Sequence, residues 1–166
     1  MDPLTIGIIG AGRIGKLHAE NLVTKVKGAK LKAITDPFLD EKWAVSIGIP
    51  VTGKDHQIML DDSEIDAVLI CSPSPQHAEQ IIECAQVGKH IFCEKPIALD
   101  PEVIKNTNSE VEKAKVKLQV GFNRRFDPSF ACVREKISSG AVGDPQVIRV
   151  TSRDPAPPPP ENLASS

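Results

Sequence analysis

Short apolar runs alternate with amphipathic stretches along most of the chain. Leu4-Thr5-Ile6-Gly7-Ile8-Ile9 is compact and apolar, the pattern of a strand buried on both faces of a parallel sheet. After a glycine-rich turn, Ile14, Leu17, Asn21, Leu22 and Val26 follow helical spacing, and Gly28 supplies a stop. Leu31–Thr35 is a second strand, ending at Asp36-Pro37. A helix is expected over 40–46, a short irregular or strand segment over 47–52, and a short helix over 55–60. Asp66–Cys71 is the next strand and stops at Ser72-Pro73-Ser74-Pro75. Ala78, Ile81, Ile82 and Ala85 recur at helical intervals up to Gly88. His90–Cys93 is a strand followed by Glu94-Lys95-Pro96. Pro101 suits the first turn of a helix running to about Lys115, and 116–121 is another strand.

The order is β-α-β-α-β-α-β-α-β through Gly121. Strands alternating with helices give an α/β fold, a Rossmann-type doubly wound parallel sheet. The style then changes. Phe130, Val133 and Ile137 mark a helix closed by Gly140, and Gln146–Thr151 alternates as a half-buried strand, antiparallel or mixed. The reading is a nucleotide-binding domain over 1–122, and over 123–166 the incomplete opening of a second α+β domain with a Pro-rich end. Pro155 and Pro157–Pro160 cannot join a sheet interior and are expected to be extended. One amphipathic strand without partners is not a stable domain, so the chain reads as cut short.

Hydrophobic residues make up 40% and charged residues 25% of the 166 positions, enough apolar material for a core. Lys and Arg total 20 against 22 Asp and Glu, so no nucleic-acid footprint is expected. No apolar run approaches the roughly 18 residues of a membrane span. The N-terminus lacks a basic region followed by an apolar one, and a cytoplasmic location is expected. Cys71, Cys84, Cys93 and Cys132 form no CxxC and no zinc spacing with histidine, so no metal site is expected.

Gly10-x-Gly12-x-x-Gly15 sits between a strand and a helix, the context a dinucleotide fingerprint requires. Gly10 takes the tight turn, Gly12 lets a pyrophosphate approach the backbone, and Gly15 lets the helix pack close. The helix N-terminus then offers free N–H groups to the phosphates. The alternative is a glycine-rich turn that binds nothing. Asp36 stands where the fingerprint expects an acid. Its carboxylate can accept both ribose hydroxyls and repel a 2′-phosphate, which argues for NAD over NADP; the alternative is a plain turn or cap acid.

Glu94-Lys95-Pro96 follows the strand His90–Cys93, and ligands gather at the carboxyl ends of such strands. An ammonium there can stabilise a developing alkoxide on a secondary alcohol. Pro96 fixes the chain after Lys95, and a cis bond is allowed. Alone, the tripeptide is equally a solvated turn.

Together these residues resemble a known family. Gly10-Ala11-Gly12-Arg13-Ile14-Gly15, with His18 three residues on, is similar to the N-terminal signature of the glucose-fructose oxidoreductase/inositol dehydrogenase family. Glu94-Lys95-Pro96-Ile97-Ala98-Leu99 resembles its second signature, and Gly121–Pro128, reading GFNRRFDP, its third. The segment RVTSRDP over 149–155 looks most like the inositol 2-dehydrogenase branch.

The resemblance implies NAD as cofactor and a cyclic polyol or sugar as substrate. Gly10, Gly12, Arg13 and Ile14 would hold the pyrophosphate and Asp36 the adenosine ribose. Ser72, Pro73 and His77 would line the cofactor cleft, and Glu94 would contact the nicotinamide ribose region. Lys95 would be the catalytic lysine, with Asn123 and Arg125 facing substrate or nicotinamide. Without the family, His77 reads as a surface helix histidine and Arg124-Arg125 as a solvated pair. His18 reads as packing at its helix, and His56 and His90 carry no signal.

Family members are longer. Their second domain supplies an Asp-x-x-x-His pair, whose His acts as base, and the sheet used for homo-oligomer contacts. No His lies beyond His90 here, so the chain is expected to bind NAD and turn over weakly or not at all. Two other readings stay open: a non-catalytic NAD-binding module or truncated pseudoenzyme, and a relative acting on another sugar or a trans-dihydrodiol.

Overall fold

In the computed structural model, which describes residues 2–153, the first strand β1 (Leu4–Ile9) is buried from Ile6 onward. The alternation continues with one strand and one helix more than the predicted order, because Val51–Gly53 pairs as a strand: α1 (Arg13–Thr24), β2 (Ala29–Thr35), α2 (Glu41–Ser46), β3 (Val51–Gly53), α3 (Gln57–Leu60), β4 (Ala67–Ile70), α4 (His77–Gln86), β5 (His90–Cys93), α5 (Pro101–Ala114) and β6 (Leu118–Val120). The six strands form one sheet in the order β3-β2-β1-β4-β5-β6. Every neighbouring pair is parallel. This is the doubly wound arrangement expected from the sequence, and the expected fold class stands.

Adjacent strand residues point to opposite faces, and the cores divide accordingly. Ile9, Ala33, Val68, Ile70, Ile91 and Cys93 pack with Met59, Ile81, Cys84 and Val111 under α3, α4 and α5. Ile8, Leu31 and Ile34 pack with Ala19 and Ala44 under α1 and α2. The near-continuous apolar runs follow from this, because both faces of each central strand are covered. Local signals set several element ends. Asp40 caps α2 through Trp43 N–H, and Asp100 caps α5 through Glu102 N–H with Pro101 in the first turn. The expected segment over 47–52 becomes a strand only at Val51–Gly53. A 3₁₀ turn at Ser74–Gln76 leads into α4.

The chain divides into two compact units, Met1–Phe122 and Asn123–Ser166. In the second, a 3₁₀ turn (Asn123–Phe126) precedes α6 (Pro128–Ser138), the helix expected from Phe130, Val133 and Ile137. Asp127 caps it, accepting from Ser129 N–H at 2.9 Å and Phe130 N–H at 3.3 Å. One expectation is corrected: Gln146–Thr151 forms no strand. Val147 is 87% and Val150 76% exposed. The alternating pattern suits a sheet edge, but a strand exists only where a partner takes its N–H and C=O groups, and this segment pairs with none among the described residues. The proline run that was expected to be extended lies outside the described residues.

Candidate functional site

The strand order reverses between β1 and β4, whose connections leave toward opposite faces. A crevice opens there at the carboxyl ends, the usual place for a ligand in an open α/β sheet. Gly10 lies at its base with φ +94°, and a Cβ there would fall 2.6 Å from the Cys71 carbonyl carbon. A Cβ on Gly15 would collide with the Gly10 carbonyl oxygen, so α1 packs directly on the turn. Gly12 differs: a Cβ there meets nothing within 4 Å. Gly10 and Gly15 are therefore glycines for close packing, whereas Gly12 leaves open space above the backbone. Gly12 is also the N-cap of α1 and supplies no side-chain cap, so the first-turn N–H groups at Arg13 and Ile14 lack a partner inside the helix. Arg13 is exposed and Ile14 half-buried. Open space over free N–H groups at a helix start is a cradle for an anionic diphosphate.

Asp36 closes one side of the crevice. Its Oδ2 accepts from Ala11 N–H at 2.7 Å and its Oδ1 from Phe38 N–H at 2.8 Å. The acid thus ties the glycine turn to the end of β2, a contact its sequence position did not disclose. Its carboxylate lines a cavity of about 480 Å³ with Gly10, Phe38, Lys54, Ser72 and Pro73. Phe38 is 95% exposed, and Thr35 Oγ1 is buried on the same wall without a partner. An open cradle, a carboxylate with lone pairs to spare and an orphaned hydroxyl fit a dinucleotide. His56, which the sequence left without a role, also lines this cavity, its Nε2 2.7 Å from Glu83 Oε2.

The other side is built from the loops after β4 and β5. Ser72 Oγ donates to Gln80 Oε1 at 2.6 Å. His77 is 1% exposed. Its Nδ1 lies 2.7 Å from the Pro96 carbonyl oxygen and its Nε2 2.8 Å from that of Ser72. It is therefore no surface histidine: the 3₁₀ turn before α4 carries the start of that helix under the strand ends. Glu94 is held by His18, with Nε2 2.9 Å from Oε1. A Cβ on Gly121 would come within 3.1 Å of that same oxygen, so this glycine makes room for the carboxylate. His18 also packs edge-on against Phe92, ring centroids 5.4 Å apart. The packing role expected for His18 holds, and the polar contact was missed; Glu94 is 76 residues away, a partnership only the fold creates.

Lys95 follows on an exposed turn with its peptide bond to Pro96 cis, and its side chain enters no ion pair among the described residues. Burial pushes the thiols of Cys71, Cys84 and Cys93 up to about 12, so none of them supplies a nucleophile at neutral pH. Asn123 and Arg125 lie on the first turn of the second unit, both exposed. Within that unit Arg125 lines a groove with Arg124, Arg134 and Glu135.

The fold and the glycine turn define a dinucleotide-binding domain of the oxidoreductase type. Residues 4–122 match the model of the GFO/IDH/MocA group, described as "Oxidoreductase family, NAD-binding Rossmann fold", and the chain belongs to that family. It is 44% identical over 158 residues to the myo-inositol 2-dehydrogenase of Thermotoga maritima, covering 94% of this chain and 47% of that protein. It is 41% identical over 161 residues to the scyllo-inositol 2-dehydrogenase (NAD(+)) of Bacillus subtilis, covering 96% and 47%. Among solved structures, the scyllo-inositol dehydrogenase of Lactobacillus casei with bound NAD(H) and scyllo-inositol superposes with a TM-score of 0.81 at 40% identity, over 86% of this chain and 43% of that one. The chain spans about half the length of the curated relatives it matches. Residues 4–122 are thus the NAD-binding Rossmann domain of this oxidoreductase family.

Proposed function

We propose that the chain is the nucleotide-binding part of an NAD-dependent dehydrogenase that oxidises a secondary alcohol of a cyclic polyol, of the inositol 2-dehydrogenase type. The observation that carries this reading is the placement of the Gly12 cradle and of Lys95 on one edge of one sheet, after β1 and after β5. Gly10, Gly12, Arg13 and Ile14 hold the diphosphate against bare backbone and free N–H groups. Asp36 takes the adenosine ribose hydroxyls and disfavours a 2′-phosphate by charge. Ser72 and Pro73 line the middle of the cleft, and His77 lies buried behind their loop. Glu94, steadied by His18, faces the nicotinamide ribose region.

NAD, when bound, supplies the hydride acceptor. Lys95 contributes electrostatics: its ammonium lowers the energy of the alkoxide that develops as the hydroxyl proton leaves. Asn123 and Arg125 are assigned to substrate, and 123 onward is read as the opening of the second domain. Relatives named for inositol 2-dehydrogenase activity support the substrate class. The same sheet edge serves another sugar or a trans-dihydrodiol equally well.

A second reading, a non-catalytic NAD-binding module, is favoured by the extent of the family match, which covers residues 4–122, the NAD-binding fold. Positioned proton transfer contributes roughly 10²–10⁴-fold to rate, so its loss separates the two readings. The test is calorimetric titration with NAD and NADP, then NAD reduction with myo-inositol and scyllo-inositol at high protein concentration. Binding with turnover that disappears in Lys95→Ala supports the dehydrogenase. Binding without turnover supports the module, and absence of NAD binding overturns both.

A further inference from the structure

Of the four histidines, His77 alone is buried. Both of its ring nitrogens meet backbone carbonyl oxygens, Pro96 O at Nδ1 and Ser72 O at Nε2. A carbonyl only accepts, so the ring donates through whichever nitrogen carries a proton, one of the two in a neutral imidazole and both in an imidazolium. Neither nitrogen is left for a ligand, and the ring itself is sealed from solvent.

The two carbonyls belong to different loops. Ser72 lies two residues beyond the end of β4, and Pro96 three beyond the end of β5. These strands are neighbours in the sheet, paired from Ala67–His90 to Ile70–Cys93. Past the bond from Glu94 N–H to the Ile70 carbonyl at 2.9 Å, no backbone hydrogen bond among the described residues joins the two loops. The imidazole takes over there as a brace between them. Its outer anchor is the residue after Lys95. That matters because Lys95 is exposed and enters no ion pair among the described residues, so its direction depends on the backbone it grows from. Gln80 supports the same arrangement from one turn along α4 by accepting the Ser72 hydroxyl.

We infer that His77 is a positioning residue: its ring braces the Ser72 carbonyl to the Pro96 carbonyl and thereby holds Lys95 toward the cleft, without contacting the cofactor. The inference rests on the reading of Lys95 given above, and it gives His77 a different task from lining the cleft.

The test compares the full chain with His77→Leu and His77→Gln. Leucine fills much of the ring's volume but donates nothing, whereas the glutamine amide keeps N–H donors. Two quantities are measured: acetylation of Lys95 by a small amine reagent, mapped by mass spectrometry with and without saturating NADH, and calorimetric affinity for ADP-ribose, which lacks the nicotinamide. NADH is expected to shield Lys95 in the unmutated chain. His77→Leu should reduce that shielding about fivefold with ADP-ribose affinity held within about twofold, the scale of one or two lost buried hydrogen bonds. His77→Gln should restore most of the shielding.

Undiminished shielding in His77→Leu overturns the brace while leaving Lys95 in place. Shielding reduced equally in both variants also overturns it, since the ring then matters for its shape alone. If His77→Leu loses ADP-ribose binding through misfolding, His77→Gln decides: its shielding should match the unmutated chain, and a deficit as deep as the leucine variant's counts against the brace. Absence of shielding in the unmutated chain overturns the Lys95 reading itself, an outcome distinct from the others.

Discussion

His18 Nε2 lies 2.9 Å from Glu94 Oε1 and joins the first helix to the end of the fifth strand across the mouth of the crevice. One residue belongs to the element that begins at the diphosphate cradle, the other to the loop that presents Lys95. Glu94 Oε2 in turn lies 3.4 Å from Lys95 N, so the carboxylate touches both ends of the site. His18→Leu should keep part of the packing on Phe92 and lose the polar link. The expected cost is about 1 kcal/mol in urea unfolding, the usual size for one hydrogen bond. The amide resonance of Lys95 should shift in ¹⁵N–¹H spectra; an unmoved resonance would detach Glu94 from His18 in solution.

Gly12 and Gly15 should respond to substitution in opposite ways. Gly12→Val puts a branched side chain into open space, so the melting temperature should stay within about 2 °C, no more than the shift about 1 kcal/mol produces in a chain of this size. NAD binding should fall at least about 100-fold, because the side chain occupies the place a diphosphate needs. Gly15→Ala drives a methyl group into the Gly10 carbonyl and should cost about 1–3 kcal/mol in stability, the range for overpacking. Calorimetry and thermal melts on both variants check the pair. Wild-type NAD affinity in Gly12→Val would refute the cradle.

Asp36→Ala removes the acceptor for both the Ala11 and Phe38 N–H groups and, on the proposed reading, the charge facing the ribose. NAD affinity should drop about tenfold, and NADP should lose less or gain, so the ratio of the two affinities narrows. Competitive calorimetry with both dinucleotides measures the ratio directly. An unchanged ratio would remove Asp36 from the adenosine end and leave it as a strap on the glycine turn.

The cysteines give a prediction in pH. Burial raises Cys71, Cys84 and Cys93 from the ordinary 9.0 to about 12 in the folded chain. The folded state therefore holds these protons more tightly than the unfolded one. Their contribution is fully present below pH 9 and is lost as pH rises from 9 toward 12, so stability should decline over that window. Native labelling with iodoacetamide at pH 8 should modify Cys132, the one exposed thiol, and spare the other three. Rapid modification of a second cysteine in the native state would contradict the burial.

Most of the architecture was legible in the sequence, since each strand and helix of the first unit is written in a local pattern. An apolar run bounded by Gly or Pro reads as a strand covered on both faces, and intervals of three and four read as a helix. The glycine turn, Asp36 and the Glu-Lys-Pro turn were found by spacing, because each sits a fixed distance from a strand end. What spacing could not supply was the identity of contacts across the sheet. His77 read alone is a helix histidine; the strand order places it between two loops 19 and 5 residues away and buries it. His18 and Glu94 meet only because β1 and β5 flank β4.

The one local pattern that misled, at Gln146–Thr151, shows the same limit from the other side. Alternating side chains are intrinsic to the segment, but a strand's hydrogen bonds belong to its neighbour. The sequence by itself determined which stretches are strands and helices of the sheet, and that the glycine turn, Asp36 and Lys95 each follow the end of a strand, since those are properties of consecutive residues. Only the tertiary structure decided which side chains steady them, because hydrogen bonds form between groups near in space, and the order of strands in the sheet sets that nearness.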